Sequence, residues 1–239
     1  MRRVFLSDVH LMPREPARTE RLVRFLRREA PRADEIYILG DLFDYWIGPK
    51  HLRLPDYRTA LDALAEAART TKVFFLLGNR DFYMSRGFED ATGIHVVPER
   101  TRHRLTVGSQ RVYLCHGDYL EGRADLGFRI QEWIRSPGFE KKFVLLPAFV
   151  AKAMAEFYRW LSARKTRRAV RVNEDIVAAE FRGGTDVIVC GHVHAPGRRV
   201  MQIDGRQAVL FTMGDWSRAE SYLVEEDGRW ELCGGPDTG

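Results

Sequence analysis

Ile36-Tyr37-Ile38-Leu39-Gly40-Asp41-Leu42-Phe43-Asp44 joins a short apolar run to a glycine and two carboxylates. The run reads as a strand buried on both faces, and the Gly-Asp pair as the turn that ends it. The same construction recurs along the chain. Residues 4–6 precede Ser7-Asp8-Val9-His10, residues 73–77 precede Gly78-Asn79-Arg80-Asp81, residues 112–115 precede His116-Gly117-Asp118, and residues 187–190 precede Gly191-His192-Val193-His194. Residues 208–213 form one more apolar run.

Between the early runs the apolar spacing becomes helical, with Leu22, Val23, Phe25 and Leu26, then Tyr57, Leu61, Leu64, Ala65 and Ala68. Pro55-Asp56 suits the start of that second helix. Strand and helix in alternation predict an α/β fold. The second half reads as a meander, with hairpins at residues 104–115 about Gly108-Ser109-Gln110 and at 221–232 about Asp227-Gly228. Two sheets packed face to face and flanked by helices accommodate both halves.

The chain has 239 residues, 45% of them hydrophobic and 30% charged, which excludes disordered, collagenous and disulfide-scaffold classes. Its length fits one domain, residues 1–239, with an insertion at about 122–170. Three cysteines, Cys115, Cys190 and Cys233, are sparse and odd in number, so a reducing, cytoplasmic compartment is expected. Residues 4–6 are too short an apolar run for a secretory signal, and no run reaches the roughly 18 residues of a membrane span. The net charge of +5 permits a polyanionic partner and does not demand one.

Carboxyl ends of strands in an α/β sheet converge on one crevice. The motifs there offer Asp, Asn and His and no thiolate, a donor set for Mn²⁺, Fe or Zn²⁺ in a functional site. Two ions share a carboxylate, and a hydroxide held between them is a nucleophile at neutral pH. Asp41 is the natural bridge; Asp8 and His10 suit one ion, Asn79 and His116 the other, and His192 and His194 complete one each. Any one of these motifs alone is most often only a turn or a structural histidine. Together they point to a dinuclear centre.

Asp8-X-His10, Gly40-Asp41-X-X-Asp44, Gly78-Asn79-X-Asp81, His116-Gly117 and Gly191-His192-X-His194 resemble the calcineurin-like metallophosphoesterases, in order and spacing, over nearly the whole chain. The resemblance implies a four-layer αββα sandwich with two divalent ions. It assigns Asp8, His10, Asp41 and His194 to the first and Asp41, Asn79, His116 and His192 to the second. Arg80, where many members carry His, and the runs about Asp41 and Asn79 are similar to the branch that cleaves the pyrophosphate of UDP-2,3-diacylglucosamine in the lipid A pathway, giving UMP. Met213-Gly214-Asp215-Trp216 is similar to that branch's closing strand and turn, and a helical lid follows His116-Gly117-Asp118 in both. The chain departs from the branch after Asp118 and at Val193 and Ala195. Asn79, Arg80 and Asp41 are thus the expected catalytic residues. An Arg grips a phosphate oxygen bidentately but donates no proton readily, so it suits a phosphate leaving group better than an alkoxide. The alternative is a phosphoesterase of another nucleotide-sugar or phosphodiester.

From residue 138 to about 166 no strand pattern appears, and Pro147 divides two expected helices. Val150, Met154, Phe157 and Leu161 form one apolar stripe, with Phe149, Ala153 and Trp160 beside it. Residues 135–171 hold ten Lys or Arg against Glu140 and Glu156, a local excess of +8. Such a segment suits an anionic membrane surface and an acylated substrate; the bland reading is a helix pair with a solvated basic face. On the lipid reading Phe139, Phe143, Phe149, Met154 and Phe157 line an acyl groove, Arg164, Lys165 and Arg168 meet phosphate, and Asp125 touches the substrate. Nucleic acid is not expected, since aliphatics rather than stacking aromatics punctuate the basic residues.

Overall fold

Alternation along β1 (Arg2–Leu6) sends Phe5 to one face and Val4 and Leu6 to the other, and all three are fully buried. A strand of this kind needs cover on both sides, at about 1.5–3 kcal/mol for each large side chain. The computed structural model, which describes residues 1–84, 86–97, 103–122, 126–165 and 170–234, supplies it. β1 pairs in parallel with β2 (Glu35–Leu39), then β3 (Lys72–Leu76) and β4 (His95–Val96). On its other side run β10 (Ser221–Glu226) and β11 (Arg229–Gly234), antiparallel, giving the order β11-β10-β1-β2-β3-β4.

The second sheet contains β5 (His103–Val107), β6 (Gln110–Cys115), β7 (Val187–His194), β8 (Gly197–Ile203) and β9 (Arg206–Gly214), in the order β5-β6-β7-β9-β8. Phe5, Tyr37 and Leu39 of the first sheet meet Val112, Leu114, Val189 and Phe211 of the second in a common core. Outside the first sheet lie α1 (Pro16–Glu29), α2 (Arg58–Thr70) and α3 (Arg86–Thr92); outside the second lies α7 (Glu174–Arg182), whose Val177 and Phe181 pack on Ile188 and Leu210. The layers are α, β, β, α, as the sequence pattern predicts.

Local chemistry explains the helices. Proline in the first turn opens α1, and Leu22, Phe25 and Leu26 put its apolar stripe on the sheet. Pro55 starts a short 3-10 turn, and α2 follows from Arg58, burying Leu61, Leu64 and Ala67. Asn173 caps α7 by accepting from the amides of Asp175 and Ile176. Both expected hairpins form, with turns at Gly108-Ser109 and Asp227-Gly228. The β8–β9 hairpin, α3 and α7 are elements that the pattern does not reveal. β8 faces solvent along most of its length, so no buried periodicity marks it.

The expected insertion consists of α4 (Leu126–Ile134), α5 (Pro137–Phe143) and α6 (Ala148–Lys165), with Pro147 between the last two. Lys50 fastens it to the body by donating to Val144 O at 2.6 Å and to Leu146 O.

Candidate metal centre

Each strand end aims one or two polar side chains into a single crevice. Five of the expected ligands sit in the left-handed region, namely Asp8 (φ 54°), His10 (50°), Asp41 (51°), His192 (67°) and His194 (57°). Each such non-glycine residue costs about 1–3 kcal/mol and persists only where the surroundings impose it. The chain imposes it by close packing of turns. Gly40, at φ 81°, lies so near the next loop that a Cβ would approach the Gly78 Cα to 2.5 Å. In β7 the ladder with β9 shifts register between Cys190 and His194, so the strand continues through the His192-X-His194 motif as a bulge that turns both rings inward.

Asp81 holds two of these turns together. One of its oxygens accepts from Asp41 N and Gly78 N at 3.1 and 3.0 Å, and the other from Leu42 N at 2.7 Å and Phe43 N at 3.4 Å. Desolvation, with the charge of Asp41 close by, pushes its carboxyl up to about 7. At the far end Trp216 N donates to Asp8 O at 3.2 Å, so the closing turn braces the first motif.

All seven expected ligands converge. Asp8, His10 and His194 offer donor atoms within 4.8 Å of one another, as do Asp8, Asp41 and His116. His194 Nε2 lies 3.1 Å from Asp8 Oδ1 and 3.2 Å from His10 Nε2. Asp41 faces both groups, with Oδ2 4.0 Å from His10 Nδ1 and Oδ1 3.5 Å from His116 Nε2. Asn79 Oδ1 is 2.8 Å from His116 Nε2 and 2.9 Å from His192 Nδ1. His116 Nδ1 faces Leu39 O at 2.9 Å and, since a carbonyl only accepts, donates to it. In the tautomer that this bond selects, the Nε2 lone pair faces an oxygen that is also an acceptor. Lone pairs facing lone pairs in a buried pocket fit a cation.

The electrostatics agree. Burial pushes the Asp41 carboxyl up to about 7, reinforced by the charge of Asp8. Burial would raise Asp8 too, but the hydrogen bond from His194 and the neighbouring imidazoles hold it well below the usual carboxylate range. Burial keeps His10 neutral, with its pKa well below the usual imidazole value. It acts in the same sense on His194, where Asp8 outweighs it and raises the pKa. Two buried, crowded carboxylates need positive charge beside them to ionise together.

Arg80 stands at the edge of this cluster. Its Nε is 3.9 Å from Asp41 Oδ2 and its Nη1 3.6 Å from Asp44 Oδ1, while Arg159 of α6 reaches the other oxygen of Asp44 at 3.2 Å. Arg80 Nε and Nη1 and Arg159 Nε are buried and make no hydrogen bond among the described residues. Beyond them opens a cleft whose walls include Trp46, Phe82, Phe139, Phe143, Met154 and Tyr158. A separate groove, lined by Asp34, Arg69, Lys72 and His95, lies at the opposite ends of β2 and β3, away from every ligand.

Phe139, Phe143 and Met154 line this cleft, whereas Phe149 and Phe157 are 76% and 60% exposed and do not. The helix presents them to the outside because α6 is apolar on more than one face. Asp125 and Arg168 lie outside the described residues, and of Arg164 and Lys165 only the backbone, at the end of α6, is described. Asp118 pairs with Arg135 of the insertion at 2.6 Å, both buried, and that cation more than offsets burial and lowers the Asp118 pKa. Sequence reasoning did not single out Arg159, Arg135 or Asp81 as site residues. Asp81 was within reach, since it ends the Gly78-Asn79-X-Asp81 motif; the arginines carried no signal beyond membership of a basic segment.

The profile of the calcineurin-like phosphoesterase family matches residues 1–196. A UDP-2,3-diacylglucosamine hydrolase from Xanthomonas campestris pv. campestris is 35% identical over 248 residues, spanning 95% of this chain and 97% of its own. Another protein of that name, from Coxiella burnetii, is 31% identical over 238 residues, spanning 96% of each. A dimetal phosphatase from Danio rerio superposes with a TM-score of 0.51 at 15% identity, covering 94% of this chain and 91% of its own, a likeness of fold.

Proposed function

The chain belongs to the calcineurin-like phosphoesterase family, and on that premise we propose that it hydrolyses the pyrophosphate bond of UDP-2,3-diacylglucosamine to UMP and 2,3-diacylglucosamine 1-phosphate. The observation that carries this reading is the placement of the Arg80 and Arg159 guanidiniums, ion-paired with Asp44 but with N–H groups that make no hydrogen bond among the described residues, between the ligand cluster and an apolar cleft. A substrate that is dianionic in the middle and acylated at one end matches that order of surfaces. Relatives of that name at 35% and 31% identity support it further.

Asp8, His10, Asp41 and His194 would hold one divalent ion and Asp41, Asn79, His116 and His192 the other, and Mn²⁺ is the metal we propose for this oxygen and imidazole donor set. When bound, such a pair supplies Lewis acidity and a nucleophile at neutral pH. The chain's own residues do the rest. Arg80 neutralises charge on a phosphate oxygen as the P–O bond to the departing phosphate breaks; water contributes hydroxyl to one phosphorus and a proton to the solution. A phosphate departs without protonation, so an Arg serves here where an alkoxide would need an acid. Asp44 holds Arg80 and Arg159 against opposite oxygens of one carboxylate and so ties the lid to the reacting end. The lid residues Phe139, Phe143 and Met154 cover the acylated sugar and keep water from it.

We propose that the enzyme works at the cytoplasmic face of the inner membrane as a peripheral protein. Among the described residues no helix is long and apolar enough to cross a membrane. Leu145, Phe149 and Phe157 are 83%, 76% and 60% exposed on the lid, near Lys141, Lys142 and Lys152, an apolar and basic surface suited to anionic lipid. The test is incubation of the Mn²⁺-loaded protein with UDP-2,3-diacylglucosamine, with UDP-N-acetylglucosamine and with bis-p-nitrophenyl phosphate, following products by mass spectrometry. UMP release from the diacylated substrate alone, lost in Arg80→Ala, is the expected result. Turnover of only the simple diester overturns the assigned substrate.

A further inference from the structure

Behind one of the expected ligands stands a carboxylate that nothing above has used. The residues after His116-Gly117 form a 3-10 turn, Asp118–Glu121, that is clamped to the start of α7. Asn173 N donates to Leu120 O at 2.6 Å, and Gly122, at φ 69°, passes so close that a Cβ would meet Ile176 Cδ1 at 2.8 Å and Asn173 Nδ2 at 3.0 Å. The clamp sets Glu121 on the outer side of His192, with Oε2 3.4 Å from His192 Nε2. The other ring nitrogen, Nδ1, is 2.9 Å from Asn79 Oδ1.

Both neighbours of that ring are acceptors, so the position of one N–H decides what the ring offers the crevice. We infer that Glu121 is a positioning residue: it accepts the Nε2 proton of His192, fixing the ring so that the Nδ1 lone pair points at the ion shared with Asn79 and His116. A histidine whose distal N–H is held by a carboxylate is correctly oriented and more basic, and loss of such a partner costs about 10–100-fold in metal affinity. Glu121 and His192 side chains are 21% and 15% exposed, so the pair is largely shielded from water. The melting of the metal-free protein therefore separates an effect on the metal from one on the fold. This role rests on the two-ion reading given above.

The test titrates Mn²⁺ into the metal-stripped full-length chain by calorimetry and records the electron paramagnetic resonance of the loaded protein. Wild type takes up two ions and shows the signal of an exchange-coupled pair. Glu121→Ala is expected to weaken the second ion about 10–100-fold, with the first ion and the melting of the metal-free protein unchanged. Glu121→Gln keeps an acceptor for the Nε2 proton and restores most of the affinity and the coupled signal. Wild-type titration by Glu121→Ala overturns the assignment, and so does loss of metal by both variants together with lower melting of the metal-free forms. Uptake of a single ion by wild type refutes the two-ion reading itself, and with it this role, before any substitution is made.

Discussion

At the strand ends Asp8, Asp41 and His116 are at most 2% exposed, polar groups packed where apolar ones are ordinary. On the lid Leu145, Phe149 and Trp133 are 83%, 76% and 62% exposed, apolar groups standing where polar ones are ordinary. Both regions invert the usual partition, and both inversions cost free energy in the isolated chain. A cation would relieve the first, and the lipid surface proposed above would relieve the second. The two regions also differ in how they are held. Five ligand residues are kept in left-handed conformations by the turns packed about them, whereas on the lid Leu145 stands between two carbonyls that Lys50 grips and Trp133 meets the edge of the Phe139 ring.

Substitutions at the rigid end give the largest effects. Asp41→Ala removes the carboxylate that faces both ligand groups, and hydrolysis should fall below detection while circular dichroism stays native. Arg80→Ala should lower kcat by about 10²–10³-fold, the loss typical of one charge-stabilising donor, with both ions still bound. Steady-state kinetics paired with metal analysis check both; residual activity in Asp41→Ala within tenfold of wild type would remove it from the bridging position. Lid variants behave differently. Met154→Glu puts a charge against the cleft and should weaken turnover of the diacylated substrate while leaving that of bis-p-nitrophenyl phosphate intact, so the ratio of the two kcat/KM values is the quantity to measure. Equal loss on both substrates would mean that the lid serves the metal site and not the acyl group.

The same contrast governs what could be read before any coordinates. Metal chemistry admits few residue types, and apolar strands bring their ends together, so Asp8, Asp41, Asn79, His116 and His194 were legible with their neighbours. The layers followed from runs such as residues 4–6 and 36–39, apolar on both faces. Arg159 was not legible as a site residue, because a helix that is apolar over more than one face leaves open which side meets Asp44. Phe149 and Phe157 were placed in the groove for the same reason and lie outside it. Glu121 was hidden differently: its role depends on the contact of a 3-10 turn with α7, and that contact joins Leu120 to Asn173 across the whole insertion.

A fourth prediction concerns the seam between the two regions. His51 follows Lys50, the lid's anchor, and lies among Phe43, Trp46 and Tyr57, with the Trp46 and Tyr57 rings 4.4 and 4.2 Å away. Burial alone pushes its imidazole down to about 3. The unfolded chain takes up that proton below an ordinary value near 6.5, and the native state does not until about 3. Stability from this group is therefore complete above about pH 6.5 and is lost as pH falls toward 3, with a slope approaching about 1.4 kcal/mol per pH unit. Denaturant unfolding of wild type and His51→Phe between pH 7 and pH 4 should show the wild type falling faster by that slope. Parallel curves would mean that His51 is solvated or partnered in the folded protein.

The smallest effect on folding belongs to the exposed lid, and it separates the two regions most sharply. Leu145→Ser with Phe149→Ser removes apolar surface that already faces solvent, so the free energy of unfolding should stay within about 0.5 kcal/mol of wild type. Turnover of a soluble diester should not change either, since neither side chain lines the cleft. Sedimentation with vesicles carrying anionic lipid should fall clearly, and Lys141→Glu with Lys142→Glu should weaken it by about 1 kcal/mol for each charge removed, in a salt-dependent way. The two pairs of substitutions act through different forces, so salt should abolish the difference made by the lysines and leave that made by Leu145 and Phe149. If the serine variant sediments as wild type does, the exposed apolar residues are not what meets the bilayer, and the membrane reading of the lid falls with them.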